Sequence, residues 1–217
     1  YFDDEGAIPV LDCVREAEAQ MLSRAEPKSY LPIEGSGPMR EAVQKLLFGD
    51  HEALRQGRIA TIQTIGASGA LKVGADLLHR WMPTSQVWLS RPSWDNHRAM
   101  FEGAGIAVNE YPYYNPATGG LDFDAMGATL ETLPARSIVL LHACCHNPTG
   151  VDLSAAQWQR IVELVRAREL LPFLDVAYQG FGDGIEEDVA PVRLLAASGL
   201  PFIVSHSFSK NLSVYGE

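Results

Sequence analysis

Short apolar runs that alternate with helical patterns constrain this sequence more than any other feature. Between residues 87 and 206 the apolar runs have the length of strands, and helical spacing of apolar residues follows most of them. Such alternation implies a mostly parallel sheet covered on both sides. Residues 137–143 form a continuous apolar run, as expected of a strand buried on both faces. We therefore predict an α/β fold, a mostly parallel sheet sandwiched by helices.

The same patterns assign elements to most of the chain. Predicted helices cover residues 9–22, 39–48, 70–81, 97–102, 123–133, 155–168 and 189–198. Predicted strands cover residues 58–65, 87–90, 107–111, 137–143, 171–176 and 201–206. The first residue is not Met and no closing element follows the last strand. We expect the sequence to be part of a longer protein, incomplete at both ends.

Composition excludes several classes of function. The 217 residues suit one large domain or a domain and a half. The net charge of −10 argues against a general nucleic-acid binder, because phosphate contacts need clustered basic residues. No apolar run reaches the roughly 18 residues of a membrane helix, so no membrane partner is expected. Three cysteines, two of them adjacent, make a poor disulfide framework and favour a reducing cytoplasm.

Polar and glycine-rich segments follow four of the predicted strands. In a parallel sheet the ligand site lies beyond the carboxyl ends of the strands. The four segments are residues 66–69, 146–150, 175–178 and 207–210. We expect them to meet at one edge of the sheet and to form the functional site.

Two of these segments have both a functional and a purely structural interpretation. Ala67 and Ser68 lie in a small-residue turn before a helix, which suits an anion at the helix N-terminus or merely a tight turn with a serine cap. Asn147 precedes a proline, so a cis bond is possible. Its amide either donates to a cofactor oxygen or belongs to an ordinary Asn-Pro turn.

The other two segments carry ionisable side chains. Asp175 ends an apolar strand and needs a partner, either a protonated pyridine nitrogen or a nearby His or Arg. Tyr178 can address the same ligand or serve as a core tyrosine. Lys210 lies near the mouth of a strand, where desolvation favours the neutral amine that forms Schiff bases. A surface lysine is the alternative.

Two residues outside these segments are further candidates. Trp94 can stack on a flat cofactor or belong to the core, and His97 is a candidate partner of Asp175, with a capping or core histidine as the alternative. Cys144, Cys145 and His146 are consecutive and no second cluster accompanies them, so we predict no metal site.

The chain resembles the class I (fold type I) aminotransferases that depend on pyridoxal 5′-phosphate (PLP), in the aspartate/aromatic branch. The resemblance rests on residues 30–35, 92–97, 146–150, 175–180, 207–212 and 215–217. It implies that residues 1–8 are a remnant of the N-terminal small-domain segment and residues 9–217 a partial PLP-binding large domain. It also implies a homodimer with shared active sites.

The resemblance further implies a role for each matching residue. Lys210 forms the internal aldimine and then moves a proton at the substrate Cα. Asp175 pairs with the pyridine nitrogen, and Tyr178 and Asn147 hydrogen-bond the phenolic oxygen of PLP. The remaining cofactor contacts are the ring face for Trp94, the phosphate for Ala67, Ser68 and Ser207, and the neighbouring subunit's phosphate for Tyr30. Asn147 and Trp94 also face the substrate, and His97 supports Asp175 from behind.

The implied reaction is ping-pong transamination between an amino acid and a 2-oxo acid. Residues 67–72, 133–137 and 144–146 look closer to bacterial aromatic-amino-acid aminotransferases than to strict aspartate enzymes, so we expect an aromatic amino acid and 2-oxoglutarate as substrates. A strict aspartate aminotransferase and a non-catalytic scaffold with this fold are the alternatives. The family's arginines for the phosphate and for the substrate carboxylates have no counterpart within this sequence.

Overall fold

A computed structural model describes residues 2–215. The helices are α1 (Asp12–Arg24), α2 (Gly37–Phe48), α3 (Glu52–Arg55), α4 (Gly66–Trp81), α5 (Asp95–Gly103), α6 (Phe123–Thr132), α7 (Ala155–Arg168) and α8 (Ala190–Ser198). The strands are β1 (Val87–Arg91), β2 (Val108–Pro112), β3 (Tyr114–Asn115), β4 (Gly120–Leu121), β5 (Ile138–His142), β6 (Leu171–Val176) and β7 (Ile203–His206).

Five strands form one parallel sheet in the order β2-β1-β5-β6-β7, and β3 and β4 form a separate small hairpin. The central strand β5 is buried at all five positions, as its apolar sequence predicts. Its side chains alternate between two hydrophobic clusters, with Leu140 in one and Leu141 in the other. The predicted mostly parallel sheet is confirmed.

Helices cover both faces of this sheet. The cluster on one face takes its helical residues from α4 and α5, including Leu71 and Phe101. The cluster on the opposite face includes residues of α6, α7 and α8, such as Leu130, Ile161 and Leu195. Each of these five helices buries an apolar stripe against the sheet, which leaves the carboxyl edge of the strands open for polar side chains.

A glycine allows α4 to approach the sheet closely. A Cβ atom at Gly74 would lie 2.6 Å from Cζ of Phe173, a fully buried ring on β6. We predict that Gly74→Ala lowers the free energy of unfolding by about 1–3 kcal/mol through overpacking. Gly127→Ala on α6 is the matched control, since a Cβ there meets nothing within 4 Å; it should raise the free energy by about 0.5–1 kcal/mol. Urea unfolding measures both, and equal effects would contradict this packing.

The predicted strand at residues 58–65 is wrong. This segment has no strand assignment and runs instead beside α2, where the Gln44 amide donates to the Ile59 carbonyl (3.3 Å) and the Thr61 hydroxyl (2.8 Å). Ile62 and Ile65 are exposed. The β-branched residues of this segment therefore do not make it a strand, since none of the described strands forms backbone hydrogen bonds with it. The sequence patterns also missed α3 and the hairpin, and α4 begins at Gly66 rather than residue 70.

The N-terminal part of the chain lies outside the core. None of residues 2–34 is buried, and α1 has no buried side chain. The division between residues 1–8 and 9–217 stays a prediction. Within residues 2–215, no helix combines the length and the apolar character that crossing a membrane requires.

Candidate active site

The predicted strand-end segments meet at the carboxyl edge of the sheet. In the parallel register, Asp175 on β6 lies opposite His142 on β5 and Ser205 on β7. The Ser205 hydroxyl in turn lies 3.4 Å from the carbonyl oxygen of Ala67 in the first turn of α4. The sheet order therefore gathers residues that are far apart in sequence, because parallel strands end at the same edge.

A buried chain of hydrogen bonds, from Ser93 through His97, holds the Asp175 carboxylate. Nε2 of His97 lies 3.0 Å from Oδ2 of Asp175, and Nδ1 of His97 lies 2.9 Å from the Ser93 hydroxyl. His97 is fully buried and Asp175 is 4% exposed. Because a carboxylate only accepts, His97 donates from Nε2. The other oxygen, Oδ1, is buried without a hydrogen-bond partner, so it is available to a ligand donor.

Trp94 lies next to this chain of hydrogen bonds. As the residue that caps α5, it places its ring edge-on to His97, with the ring centroids 5.2 Å apart. Trp94 is half-buried, so part of its ring remains available to a ligand near Asp175. The predicted link between His97 and Asp175 is present, while the stacking role of Trp94 stays a prediction.

Lys210 and Tyr178 face each other across the site. Nζ of Lys210 lies 5.4 Å from the centroid of the Tyr178 ring, and both side chains are half-buried. Burial raises the pKa of Tyr178, and the negative charge of Asp175 raises it further. The Tyr178 hydroxyl therefore keeps its proton at neutral pH and can donate a hydrogen bond.

A tight turn fixes the position of Asn147. The Asp152 carboxylate accepts from the backbone N–H of Cys145 (2.6 Å) and of His146 (2.7 Å). The His146 ring is held by the Thr149 hydroxyl at 2.8 Å. The Asn147–Pro148 peptide bond is cis, in agreement with the possibility drawn from the sequence. Asn147 itself is half-buried, with its amide in a turn that is braced on both sides.

Small residues and hydroxyl groups surround the N-terminus of α4. Gly66 has a φ of 58°, in the left-handed region that favours glycine, and a Cβ there would lie 3.5 Å from the Ser209 hydroxyl oxygen, an ordinary contact. Ser207 is 4% exposed and its hydroxyl has no partner, while Ser68 is exposed. Unpaired helix N–H groups beside a free buried hydroxyl suit an anion.

One predicted site residue lies elsewhere. Tyr30 is 103% exposed, in the N-terminal part of the chain that carries no buried side chain. It therefore takes no part in the site of its own chain. Gly216 and Glu217, which belong to the resemblance, lie outside the described residues.

Comparison with known proteins gives the site its context. The sequence model of the family described as "Aminotransferase class I and II" matches residues 1–217. The chain belongs to this family. A tyrosine aminotransferase of Klebsiella pneumoniae is 58% identical over 221 residues, and an aspartate aminotransferase of Pseudomonas aeruginosa is 53% identical over 218. In both cases the match covers 100% of this chain and 55% of the relative.

A solved structure of a related protein has the same fold and carries a bound ligand. The aromatic-amino-acid aminotransferase of Burkholderia pseudomallei, covalently bound to pyridoxal phosphate, superposes with a TM-score of 0.99 at 52% identity. The match covers 100% of this chain and 55% of that structure. The chain thus spans about half the length of the aminotransferases that it resembles.

Sequence reasoning missed His142 in the candidate site. It is the last residue of β5, opposite Asp175 in register, and neither of its ring nitrogens has a hydrogen-bond partner. Its position at the end of a buried strand was the signal that could have found it. Among residues 2–215, the group whose atoms could hold a metal ion is His97, His142 and Asp175, with ligand atoms within 4.8 Å. His97 already donates to Asp175, and Cys144 and Cys145 are not part of the group.

Buried histidines give the protein a predictable response to acid. Burial lowers the pKa of His142 to about 3 and that of His146 to about 4. Between these values and about 6.5, the unfolded chain binds protons that the folded chain does not. The free energy of unfolding must therefore decrease as pH falls through this range.

Urea unfolding from pH 7.5 to 4.5 measures this acid response. We predict that His142→Asn flattens the dependence by up to about 1.4 kcal/mol per pH unit. The control is His79→Asn, which replaces an exposed histidine on α4. If the free energy of unfolding depended on pH equally in the wild type and in His142→Asn, the lowered pKa of His142 would be contradicted.

Proposed function

We propose that the full-length protein is a PLP-dependent aminotransferase that transfers an amino group between an aromatic amino acid and 2-oxoglutarate. The observation that carries the proposal is Asp175, a buried carboxylate held by His97 with one oxygen free, at the edge where Lys210 faces Tyr178. A related structure of the same fold is covalently bound to pyridoxal phosphate, which supports this cofactor. The relatives' names support transamination.

The residues present fit this cofactor. Buried polar atoms in proteins are nearly always paired, so the free Oδ1 of Asp175 and the free hydroxyl of Ser207 call for ligand groups. A protonated pyridine nitrogen complements the first and a phosphate oxygen the second. Lys210 would attach the cofactor, Tyr178 and Asn147 would hold its phenolic oxygen, and Trp94 would cover its ring. The N–H of Ala67 and the hydroxyl of Ser68 would join Ser207 on the phosphate.

The roles of the chain's own residues follow from these positions. When bound, PLP supplies an electron sink for negative charge at the substrate Cα. Asp175 keeps the ring nitrogen protonated, since His97 orients its carboxylate and burial strengthens the charge pairing. Tyr178 donates from a hydroxyl that stays protonated. The Lys210 amine would take the proton from the substrate Cα and deliver it to C4′ of the cofactor.

The choice of substrate rests on the resemblance and on the relatives' names, which include both tyrosine and aspartate. Comparing kcat/KM of the full-length enzyme for phenylalanine and for aspartate, each with 2-oxoglutarate, tests this choice. We expect turnover of both, with phenylalanine at least equal to aspartate. Turnover of aspartate alone would support a strict aspartate aminotransferase, and turnover of neither would support a scaffold.

The proposal includes a cytoplasmic homodimer whose two active sites share residues. Tyr30 would reach the phosphate group of the neighbouring subunit, which its full exposure supports. Leu31 and Ile33 beside it are exposed apolar residues, as expected of a segment that packs on a partner. Cys13, Cys144 and Cys145 are free thiols, in agreement with a reducing compartment. Sedimentation of the full-length protein distinguishes a dimer from a monomer.

A further inference from the structure

Gln179 connects the Tyr178 segment to the chain on both sides of Lys210. It directly follows Tyr178 and is 2% exposed. Its side-chain Oε1 lies 3.0 Å from Nε2 of His206, four residues before Lys210. Its backbone carbonyl accepts from the Asn211 amide at 3.5 Å, one residue after Lys210. We propose that Gln179 and His206 are positioning residues that set the distance between Tyr178 and Lys210.

The hydrogen bonds of Gln179 allow only one arrangement. Nε2 of Gln179 donates to the Ile185 carbonyl at 2.9 Å, and a carbonyl can only accept. The amide oxygen must then face His206, whose Nε2 must carry the proton. Burial lowers the pKa of His206 to about 4, so the ring is neutral at physiological pH and has this single donor for the amide. The bond therefore has a defined direction and a defined tautomer.

The loop that receives Gln179 is itself rigid. The buried Asp188 carboxylate accepts hydrogen bonds from four backbone N–H groups, those of Gly180, Gly182, Asp183 and Gly184. A Cβ at Gly182 would lie 2.5 Å from Oδ1 of Asp188, so the loop wraps closely around this side chain. The Ile185 carbonyl thus holds the Gln179 amide in place. The amide oxygen of Gln179 in turn holds the His206 ring through its hydrogen bond to Nε2.

The inference rests on the proposed function, since it gives Gln179 a purpose only if Lys210 and Tyr178 act on one cofactor. Displacing a catalytic group by about 1 Å can lower a rate on the order of 100-fold. Loss of the Gln179–His206 bond leaves Lys210 on a segment with one fewer support. Gln179 touches no reacting atom in this account and acts only through His206 and Asn211.

The test uses matched variants of the full-length enzyme. Gln179→Met keeps the length of the side chain but removes both amide hydrogen bonds, and Gln44→Met makes the same change at a glutamine on α2 that bonds to Ile59 and Thr61. His206→Gln retains a donor toward Gln179, whereas His206→Leu does not. The readouts are kcat, KM, melting temperature and the pH titration of the bound cofactor's absorbance.

We expect Gln179→Met and His206→Leu to lower kcat about 10- to 100-fold, with a smaller change in KM and a shifted midpoint of the absorbance titration. His206→Gln should recover most of the rate, and Gln44→Met should change only the melting temperature. An unshifted titration and an unchanged kcat in Gln179→Met would overturn the inference. Lys210 labelled by cofactor in the wild type separates that result from a failure of the proposed function.

Discussion

Replacing Lys210 with alanine is expected to abolish covalent attachment of PLP and to lower kcat of the full-length enzyme by roughly 10²–10⁴-fold. In the proposed function the amine would supply both the attachment point and the proton transfer at the substrate Cα. The Tyr178 ring, whose centroid lies 5.4 Å from Nζ of Lys210, carries a hydroxyl that cannot replace the amine. Steady-state kinetics and the absorbance of the purified variant measure the two losses.

Lys72→Ala is the matched control for this experiment. Lys72 lies on helix α4, where its side chain is 43% exposed and forms an ion pair with Asp76. Such surface pairs contribute little to stability, so the control should keep its activity and cofactor. A Lys210→Ala enzyme that turns over at the wild-type rate would remove the assignment of Lys210.

The second large effect is expected from Asp175→Asn. The substitution keeps the shape of a side chain that is 4% exposed but removes the negative charge that we propose pairs with the ring nitrogen of PLP. Loss of a preorganised electrostatic group lowers kcat about 10²–10³-fold in comparable sites. We expect a loss in that range for the half-reaction with the amino acid, measured by stopped-flow absorbance.

Asp76→Asn provides the control, since Asp76 is exposed on α4 and pairs only with Lys72 among the described ion pairs. Asp175→Glu retains the charge and should recover part of the rate. Equal kinetics for Asp175→Asn and the wild type would show that the carboxylate does not act on the cofactor.

The parts of the fold that follow from apolar periodicity could be predicted from the sequence. The run around Leu140 predicts a strand buried on both faces, and its five buried positions confirm it. Residues 58–65 mix isoleucine with threonine and other residues but form no strand, because a strand also needs a partner and periodicity does not report on partners. Short elements such as α3 carry too few residues to show a period.

Part of the candidate site could likewise be predicted from the sequence, and part could not. The link between Asp175 and His97 could be proposed from the sequence, since a buried carboxylate needs a partner and a histidine is one of the candidates. Sequence reasoning did not find His142 and Gln179, because the contacts of each depend on how neighbouring strands or loops are aligned. Their positions opposite Asp175 and His206 appear only once β5, β6 and β7 are aligned.

Borohydride reduction of the full-length protein with PLP, followed by mapping of the labelled peptide, tests the central claim most directly. We predict visible absorbance before reduction and a label on Lys210, which lies in the segment that follows β7. A label on another lysine would contradict the site assembled around Asp175 and Tyr178. Absence of both absorbance and label in the full-length protein would contradict the aminotransferase function itself.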